Sequence, residues 1–293
     1  MSADSTDPIN ELNEKLGATP GESDKGLQGE KKHDKFRTRK APTEQRRRLT
    51  GSAHARYIRT VRRLVSGSRA VDEAPPVIRL NFEEPFAGTD SANPPRVSDF
   101  ADRVVAAARA GGRHRFDLVG YFLGAAVASF IAAEYPEMVR SLVLVSGFGY
   151  GADPRMRLQF DLWLHLARTD KIALTKLLLV SGLSRDFLSA FDEPTVDGIV
   201  QSFVAMSDWP LIELNIRVDL AVDVREQARK IKAPTLSITG KYDQVVPPFY
   251  TQALADLIPA AKTAEIPSGH LSFLEKPVDL ASAMLTFLLE KHA

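Results

Sequence analysis

The stretch Phe116-Asp-Leu-Val-Gly-Tyr-Phe-Leu-Gly-Ala125 decides the fold that we predict for this chain. A short apolar segment runs into Gly120, and an alanine-rich segment begins just after Gly124. Because glycine accepts backbone angles that other residues avoid, this spacing predicts a strand, a sharp turn and a helix. The residue at the apex of the turn, Phe122, is expected to point into a functional site.

Alternation of strand and helix patterns continues on both sides of this stretch. Residues 139–146 are continuously apolar, as in a strand covered on both faces. Further strands are predicted at residues 77–81, 233–240 and 263–267, with helices at 97–110, 125–135, 249–257 and 278–289. The alternation predicts a mostly parallel sheet flanked by helices, built from right-handed βαβ units.

Residues 148–214 differ from the rest, because helical spacing of apolar residues repeats there without a strand pattern. The apolar faces of these helices contain large side chains: Leu158, Phe160, Trp163, Leu166, Leu177, Phe203 and Trp209. We interpret the segment as a helical cap over the turn at Phe122. Trp163 is the side chain of this stripe that we expect to contact a substrate.

The composition argues against a metal site, a cofactor and a membrane span. The 293 residues include no cysteine, and the six histidines show no metal-ligand spacing, so neither a metal nor another cofactor is expected. No secretory signal is visible, and the longest apolar run is shorter than the about 20 residues of a membrane span. We therefore expect a cytoplasmic protein without a membrane partner.

Charge is concentrated in the first quarter of the sequence. Residues 25–70 contain fifteen Lys and Arg against three acidic residues, whereas residues 1–24 contain six acidic residues and one Lys. Segments so charged and so poor in apolar residues do not form a core, so residues 1–75 are predicted to be a disordered segment. No aromatic residues interleave the basic ones in the pattern of a nucleic-acid surface, so no nucleic-acid partner is expected.

Two later motifs complete a pattern that begins at the turn. Gly240-x-x-Asp243-x-Val-Val-Pro247 follows one predicted strand, and Gly269-His270 with Glu275-x-Pro277 follows another. In this order the motifs resemble the α/β-hydrolase superfamily, whose pattern at the turn is G-x-S-x-G. The resemblance implies a core at residues 76–147 and 215–293 with the cap between them. Strands expected before Pro75 are not visible, and whether residues 1–75 replace them stays open.

The resemblance also implies roles for individual residues. Asp243 would orient His270 as a proton-transfer pair, or the two would remain only as a structural link between loops. Phe122 has no lone pair to attack a carbonyl group, so an acyl-enzyme at this position is excluded. The backbone N–H of Leu123 would face a bound carbonyl oxygen, while Tyr121 and Phe122 would line the pocket floor.

Phenylalanine at the turn is similar to the bottromycin epimerase group, atypical members of this fold from peptide natural-product clusters. That resemblance implies epimerisation of an Asp residue beside a thiazoline in a modified ribosomal peptide. Proton exchange would be assisted by the substrate's own carboxylate, with Phe122 as a wall that excludes water. The expected partner is then a modified peptide.

Two other functions remain open from the residues alone. The chain is either a catalytically inactive protein that binds a hydrophobic small molecule, or an esterase whose nucleophile lies elsewhere. Ser146 and Ser268 lie near predicted strand ends and are the candidates for that nucleophile, with Ser146 also expected to line the pocket.

Overall fold

The structure is a computed structural model that describes residues 94–290. The strand predicted at residues 77–81 and the charged segment 1–75 lie outside these residues. Four parallel strands form the described sheet in the order β1-β2-β3-β4. They are β1 (Phe116–Tyr121), β2 (Val139–Val145), β3 (Thr235–Gly240) and β4 (Lys262–Ile266).

Helices connect and cover these strands. In chain order they are α1 (Val97–Ala110), α2 (Leu123–Glu134), α3 (Pro154–Thr169), α4 (Lys171–Gly182), α5 (Arg185–Leu188), α6 (Glu193–Met206), α7 (Trp209–Ala221), α8 (Arg225–Lys230), α9 (Pro248–Leu257), α10 (Ser272–Glu275) and α11 (Pro277–Glu290). The predicted fold class, a parallel sheet flanked by helices, is confirmed.

The apolar run of β2 is explained by burial on both faces. Leu142 and Leu144 lie in one hydrophobic cluster with α1, α2, α8 and α9. Val143 and Val145 point the other way, into a second cluster with α11. A strand covered on both faces has no position where a polar side chain would meet water, so alternation disappears from its sequence.

The segment between β2 and β3 is helical and comprises α3 to α7. Aspartate side chains at Asp153, Asp170, Asp192 and Asp208 accept hydrogen bonds from the first-turn N–H groups of α3, α4, α6 and α7. Such N-caps satisfy amides that the helix itself leaves without a partner, and they fix where each helix begins. Helix α7 ends at Ala221 and so crosses the predicted cap boundary at residue 214.

The two glycines of the turn differ in their surroundings. A Cβ atom added to Gly120 would overlap the carbonyl oxygen of Gly124 and lie 2.8 Å from the Cα of Ala125. At Gly124 an added Cβ would meet no atom within 4 Å among residues 94–290. Close approach of β1 to α2 therefore requires glycine at the first position only, as far as these residues show.

A matched pair of substitutions tests this difference. Gly120→Ala should destabilise the protein by about 1–3 kcal/mol, because α2 must move away from β1. Gly124→Ala should be neutral or stabilising by about 0.5–1 kcal/mol, because it lowers the entropy of the unfolded chain. Urea unfolding midpoints of the two variants measure the difference, and equal shifts would contradict it.

Candidate active site

The turn between β1 and α2 holds Phe122 in a backbone conformation that side chains rarely adopt. Its φ is 52° and its ψ is −119°. The Phe122 N–H donates to the Val145 carbonyl at 3.1 Å, and its own carbonyl accepts from Ala125 N–H at 2.9 Å. A non-glycine residue in such a region costs about 1–3 kcal/mol and persists only where its surroundings enforce it. The sharp turn is thus built in full around a phenylalanine.

Asp243 and His270 form the hydrogen-bonded pair that the sequence left undecided. The His270 Nδ1 atom lies 2.7 Å from Asp243 Oδ2, and both residues are buried. The other carboxylate oxygen, Oδ1, accepts from the N–H groups of Val245 at 2.9 Å and Val246 at 2.8 Å. A carboxylate fixed in this way orients the imidazole with Nδ1 as the donor and leaves Nε2 as the acceptor.

The cap fixes the loop that carries Asp243. The Arg155 guanidinium and the Gln159 amide of α3 donate to the carbonyls of Gln244 and Val245, at 3.0 and 2.9 Å. At the end of α4, the Ser181 carbonyl accepts from Gln244 N–H at 3.1 Å. These three bonds hold the residues directly after Asp243, so the cap and the Asp243 loop form one unit.

The His270 loop is fixed through Glu275. Its Oε1 atom accepts from Gly269 N–H at 2.9 Å and from Ser184 N–H of the cap at 3.0 Å. The Leu271 N–H donates to the Gly182 carbonyl at the end of α4. Leu271 is therefore bonded to the cap directly, and Gly269 is linked to it through the Glu275 carboxylate, which explains why a glutamate follows the histidine motif.

Aromatic rings surround the apex of the turn. The Phe122 ring lies 5.1 Å from the His270 ring at 90°, 5.4 Å from Phe148 and 6.3 Å from Phe160, measured between centroids. Phe148 follows β2, and Phe160 belongs to α3. Neither was predicted as a site residue, although Phe160 was in the predicted apolar stripe.

Trp163, which we expected to contact a substrate, packs against Phe160. Its ring contacts Phe160 at 5.5 Å, and it is buried in the same hydrophobic cluster. Phe160 is three residues earlier in α3 and therefore shares its face. The side chain of α3 in contact with the turn is thus Phe160, with Trp163 supporting it.

Tyr121 packs beside the imidazole. Its ring lies 5.0 Å from the His270 ring, and its hydroxyl donates to the His270 carbonyl at 3.4 Å. Burial, and then the charge of Asp243, raise the pKa of Tyr121 well above its ordinary value. The phenol therefore stays neutral and supports the position of His270.

The two candidate serines are not bonded to the imidazole. Ser146 follows β2 with φ 48°, is fully buried, and its Oγ has no hydrogen-bond partner among the described residues. The Ser268 hydroxyl is also fully buried and donates to the Gly269 carbonyl at 3.0 Å.

Leu123 begins α2 directly after the turn. The N–H groups of a first helical turn have no partner within the helix, so the Leu123 N–H is available to a bound oxygen atom.

Among residues 94–290 there is no group of three or more His, Asp or Glu side chains that could hold a metal ion.

Asp219 of α7 is a further buried carboxyl group, which the sequence pattern did not indicate. It is 2% exposed, its Oδ1 has no partner in the described part of the chain, and burial raises its pKa well above the ordinary value.

Comparison with known proteins identifies the family. Residues 69–277 match the alpha/beta hydrolase fold family. The chain belongs to this family. The superfamily prediction is thus confirmed.

Two curated relatives are named as hydrolytic enzymes. Pyrrolizixenacetamide deacetylase of Xenorhabdus hominickii is 38% identical over 215 residues, which cover 73% of this chain and 81% of the relative. The 2-hydroxy-6-oxo-6-(2'-aminophenyl)hexa-2,4-dienoic acid hydrolase of Metapseudomonas resinovorans is 28% identical over 178 residues, or 59% and 60% of the two chains. Neither is named as an epimerase.

Solved structures show the same fold. The enol-lactonase from Burkholderia xenovorans LB400 has a TM-score of 0.60 at 21% identity, covering 69% of this chain and 75% of the lactonase. The putative non-heme bromoperoxidase BpoC of Mycobacterium tuberculosis H37Rv has a TM-score of 0.59 at 23% identity, with 78% and 80% covered. At these identities the likeness concerns the fold alone.

No helix in residues 94–290 is long and apolar enough to cross a membrane.

Proposed function

We propose that this alpha/beta hydrolase removes an acyl group from an amide by direct attack of water, without an acyl-enzyme. The observation that carries the proposal is the Asp243–His270 pair, joined at 2.7 Å and in contact with a turn whose apex is Phe122. In this proposal His270 acts as the general base, and the phenyl ring at the apex of the turn cannot act as a covalent nucleophile. The 38% identical deacetylase supports acyl transfer to water as the reaction class.

In the proposed step, His270 Nε2 removes a proton from water as the water oxygen bonds to the acyl carbon. The oxyanion that forms would lie near the Leu123 N–H at the start of α2, where a helix N-terminus favours negative charge. His270 then returns the proton to the amide nitrogen as the carbon–nitrogen bond breaks. The products are a carboxylic acid and an amine.

The absence of an acyl-enzyme is the testable part of this proposal. We expect hydrolysis of 4-nitroacetanilide that is insensitive to a fluorophosphonate probe, and no acetyl adduct when the turning-over enzyme is quenched and weighed by intact-mass spectrometry. Labelling of Ser146 or Ser268 would overturn the proposal in favour of a serine esterase. Absence of any amide or ester hydrolysis would also overturn it.

Epimerisation of a peptidyl aspartate is the second candidate, and the aromatic surroundings favour it. The Phe122 ring lies beside the imidazole, and the Phe148 and Phe160 rings pack against Phe122. Apolar surroundings of this kind would favour proton exchange on a bound substrate over attack by water. A thiazoline-containing peptide substrate would then gain deuterium at one α-carbon in heavy water. Deuterium uptake without hydrolysis distinguishes this function from deacylation.

A further inference from the structure

Helix α7 carries two buried acceptor atoms that no other group among residues 94–290 satisfies. The Asp219 Oδ1 and Asn215 Oδ1 atoms are both shielded and have no hydrogen-bond partner in this part of the chain. A buried polar atom without a partner costs about 1–3 kcal/mol, so such atoms call for an explanation. Two on one helix, four residues apart, lie on the same face.

That face is turned to the protein interior. Ile212 and Ile216, which share it, pack in the same hydrophobic cluster as Phe148 and Phe160. Helix α7 packs against α3, the helix that supplies Phe160. The backbone of Asp219 is in close contact with Gly151, in the loop that carries Phe148. The helix with the two unpartnered acceptors therefore borders the helix and the loop that supply Phe160 and Phe148.

We infer that Asp219 and Asn215 are specificity-determining residues that accept the N–H groups of an amide substrate and of the amine it releases. This inference rests on the proposed deacylation. A secondary amide has one N–H, and protonation of its nitrogen gives the leaving amine a second one. Two acceptors lie about one helical turn apart. One can accept the N–H of the amide, and the other can accept the second N–H that the nitrogen gains when it is protonated. An ester has no N–H at its leaving oxygen and therefore donates no hydrogen bond to these two acceptors.

An un-ionised Asp219 side chain suits a substrate whose nitrogen carries no charge. Burial raises the pKa of Asp219, so the carboxyl group resists ionisation and still offers a carbonyl oxygen as acceptor. Two other acids near it are already paired, Asp223 with Arg225 and Glu213 with Arg168. The Nε of Arg217, two residues before Asp219 on α7, is also buried without a partner in the described part of the chain. The class that we infer is N-acylated amines, whose N–H groups match the two acceptor atoms.

The kinetic test compares two chromogenic substrates that differ only in N–H against O, 4-nitroacetanilide and 4-nitrophenyl acetate. Asp219→Leu should lower kcat/KM for the anilide at least tenfold and change the ester less than twofold. Asp219→Asn, which keeps an acceptor oxygen, should restore most of the anilide activity. Asp223→Asn, a matched change in an exposed ion pair, should leave both unchanged. An unaltered anilide-to-ester ratio in Asp219→Leu overturns the inference while leaving the proposed function intact.

A binding arm tests the inference without turnover. The amide is compared by calorimetry with 1-(4-nitrophenyl)propan-2-one, in which a methylene replaces the N–H and no bond can be hydrolysed. Wild-type protein should bind the amide more tightly, and Asp219→Leu should remove the difference. Equal affinities in the wild type, including no binding of either compound, contradict the inference. If the wild type hydrolyses neither substrate yet shows the binding difference, the proposed function fails and the acceptor site stands.

A stability readout separates this role from simple misfolding. As pH rises past the ordinary carboxyl pKa of about 3.9, the unfolded chain ionises first and the folded state loses stability up to the raised pKa of Asp219. Asp219→Asn should therefore raise the Tm at pH 7 more than at pH 4. A lower Tm at both pH values would show that Asp219 stabilises the fold, and the inference would fail.

Discussion

Asp243→Asn is expected to reduce amide hydrolysis by about 10³–10⁴-fold with little change in KM. The Asn side-chain oxygen can keep the two bonds from Val245 and Val246, so the loop stays in place. The side-chain NH₂ group would then face His270 Nδ1, now 2.7 Å from a carboxylate oxygen. A donor at that position moves the imidazole proton to Nε2, and a protonated Nε2 cannot take a proton from water.

The measurement is steady-state hydrolysis of 4-nitroacetanilide, with Tm recorded for each variant. Asp186→Asn is the matched control, because Asp186 is exposed and its ion pair among residues 94–290 is with its neighbour Arg185. Its activity should equal that of the wild type. Unchanged kcat in Asp243→Asn would mean that the buried pair only links two loops, and that hydrolysis, if present, uses another base.

The strand, turn and helix could be predicted because neighbouring residues in the sequence determine them. An apolar run before Gly120 and an alanine-rich segment after Gly124 correspond to β1 and α2 within a few residues. The order of Asp243 and His270 was equally visible as a motif. Their contact was not, because residues 27 positions apart are joined only by the packing of β3 and β4.

Helix α7 shows why the rest was hidden. Between Glu213 and Leu220 polar and apolar residues alternate, a pattern typical of a strand, yet the segment is helical. The helix is set by the Asp208 N-cap and by packing against α3, neither of which the alternation reveals. Asn215 and Asp219 look like surface residues in this pattern, whereas the helical period places both on the buried face.

Phe148 was missed for a related reason. It lies in the loop after β2, where no period predicts which side chain points inward. Its contact with Phe122 depends on the loop's return towards α7, seen in the bond from Gly151 N–H to the Val222 carbonyl at 2.8 Å. Site walls formed by loops and cap helices are tertiary properties, and motifs report only the residues that the chemistry itself requires.

Phe122→Ser is expected to create a covalent enzyme. The backbone at this position already has φ 52° and ψ −119°, and the two backbone bonds that hold it do not involve the side chain. A serine there would place its hydroxyl on the side of the turn that now contacts His270 at 5.1 Å between rings. We therefore expect fluorophosphonate labelling and a burst of 4-nitrophenol from 4-nitrophenyl acetate, both absent from the wild type.

The substitution also removes a ring that packs against Phe148 and Phe160, so the Tm should fall, by an amount corresponding to about 2–4 kcal/mol. Phe122→Ala makes the same cavity without a hydroxyl and should lose the same stability without being labelled. Adding Asp243→Asn to Phe122→Ser should abolish labelling, since the serine then lacks its base. A folded Phe122→Ser variant that reacts with neither reagent would show that His270 Nε2 does not reach the apex of the turn. Direct activation of water at that place would then be excluded as well, because the same nitrogen performs both tasks.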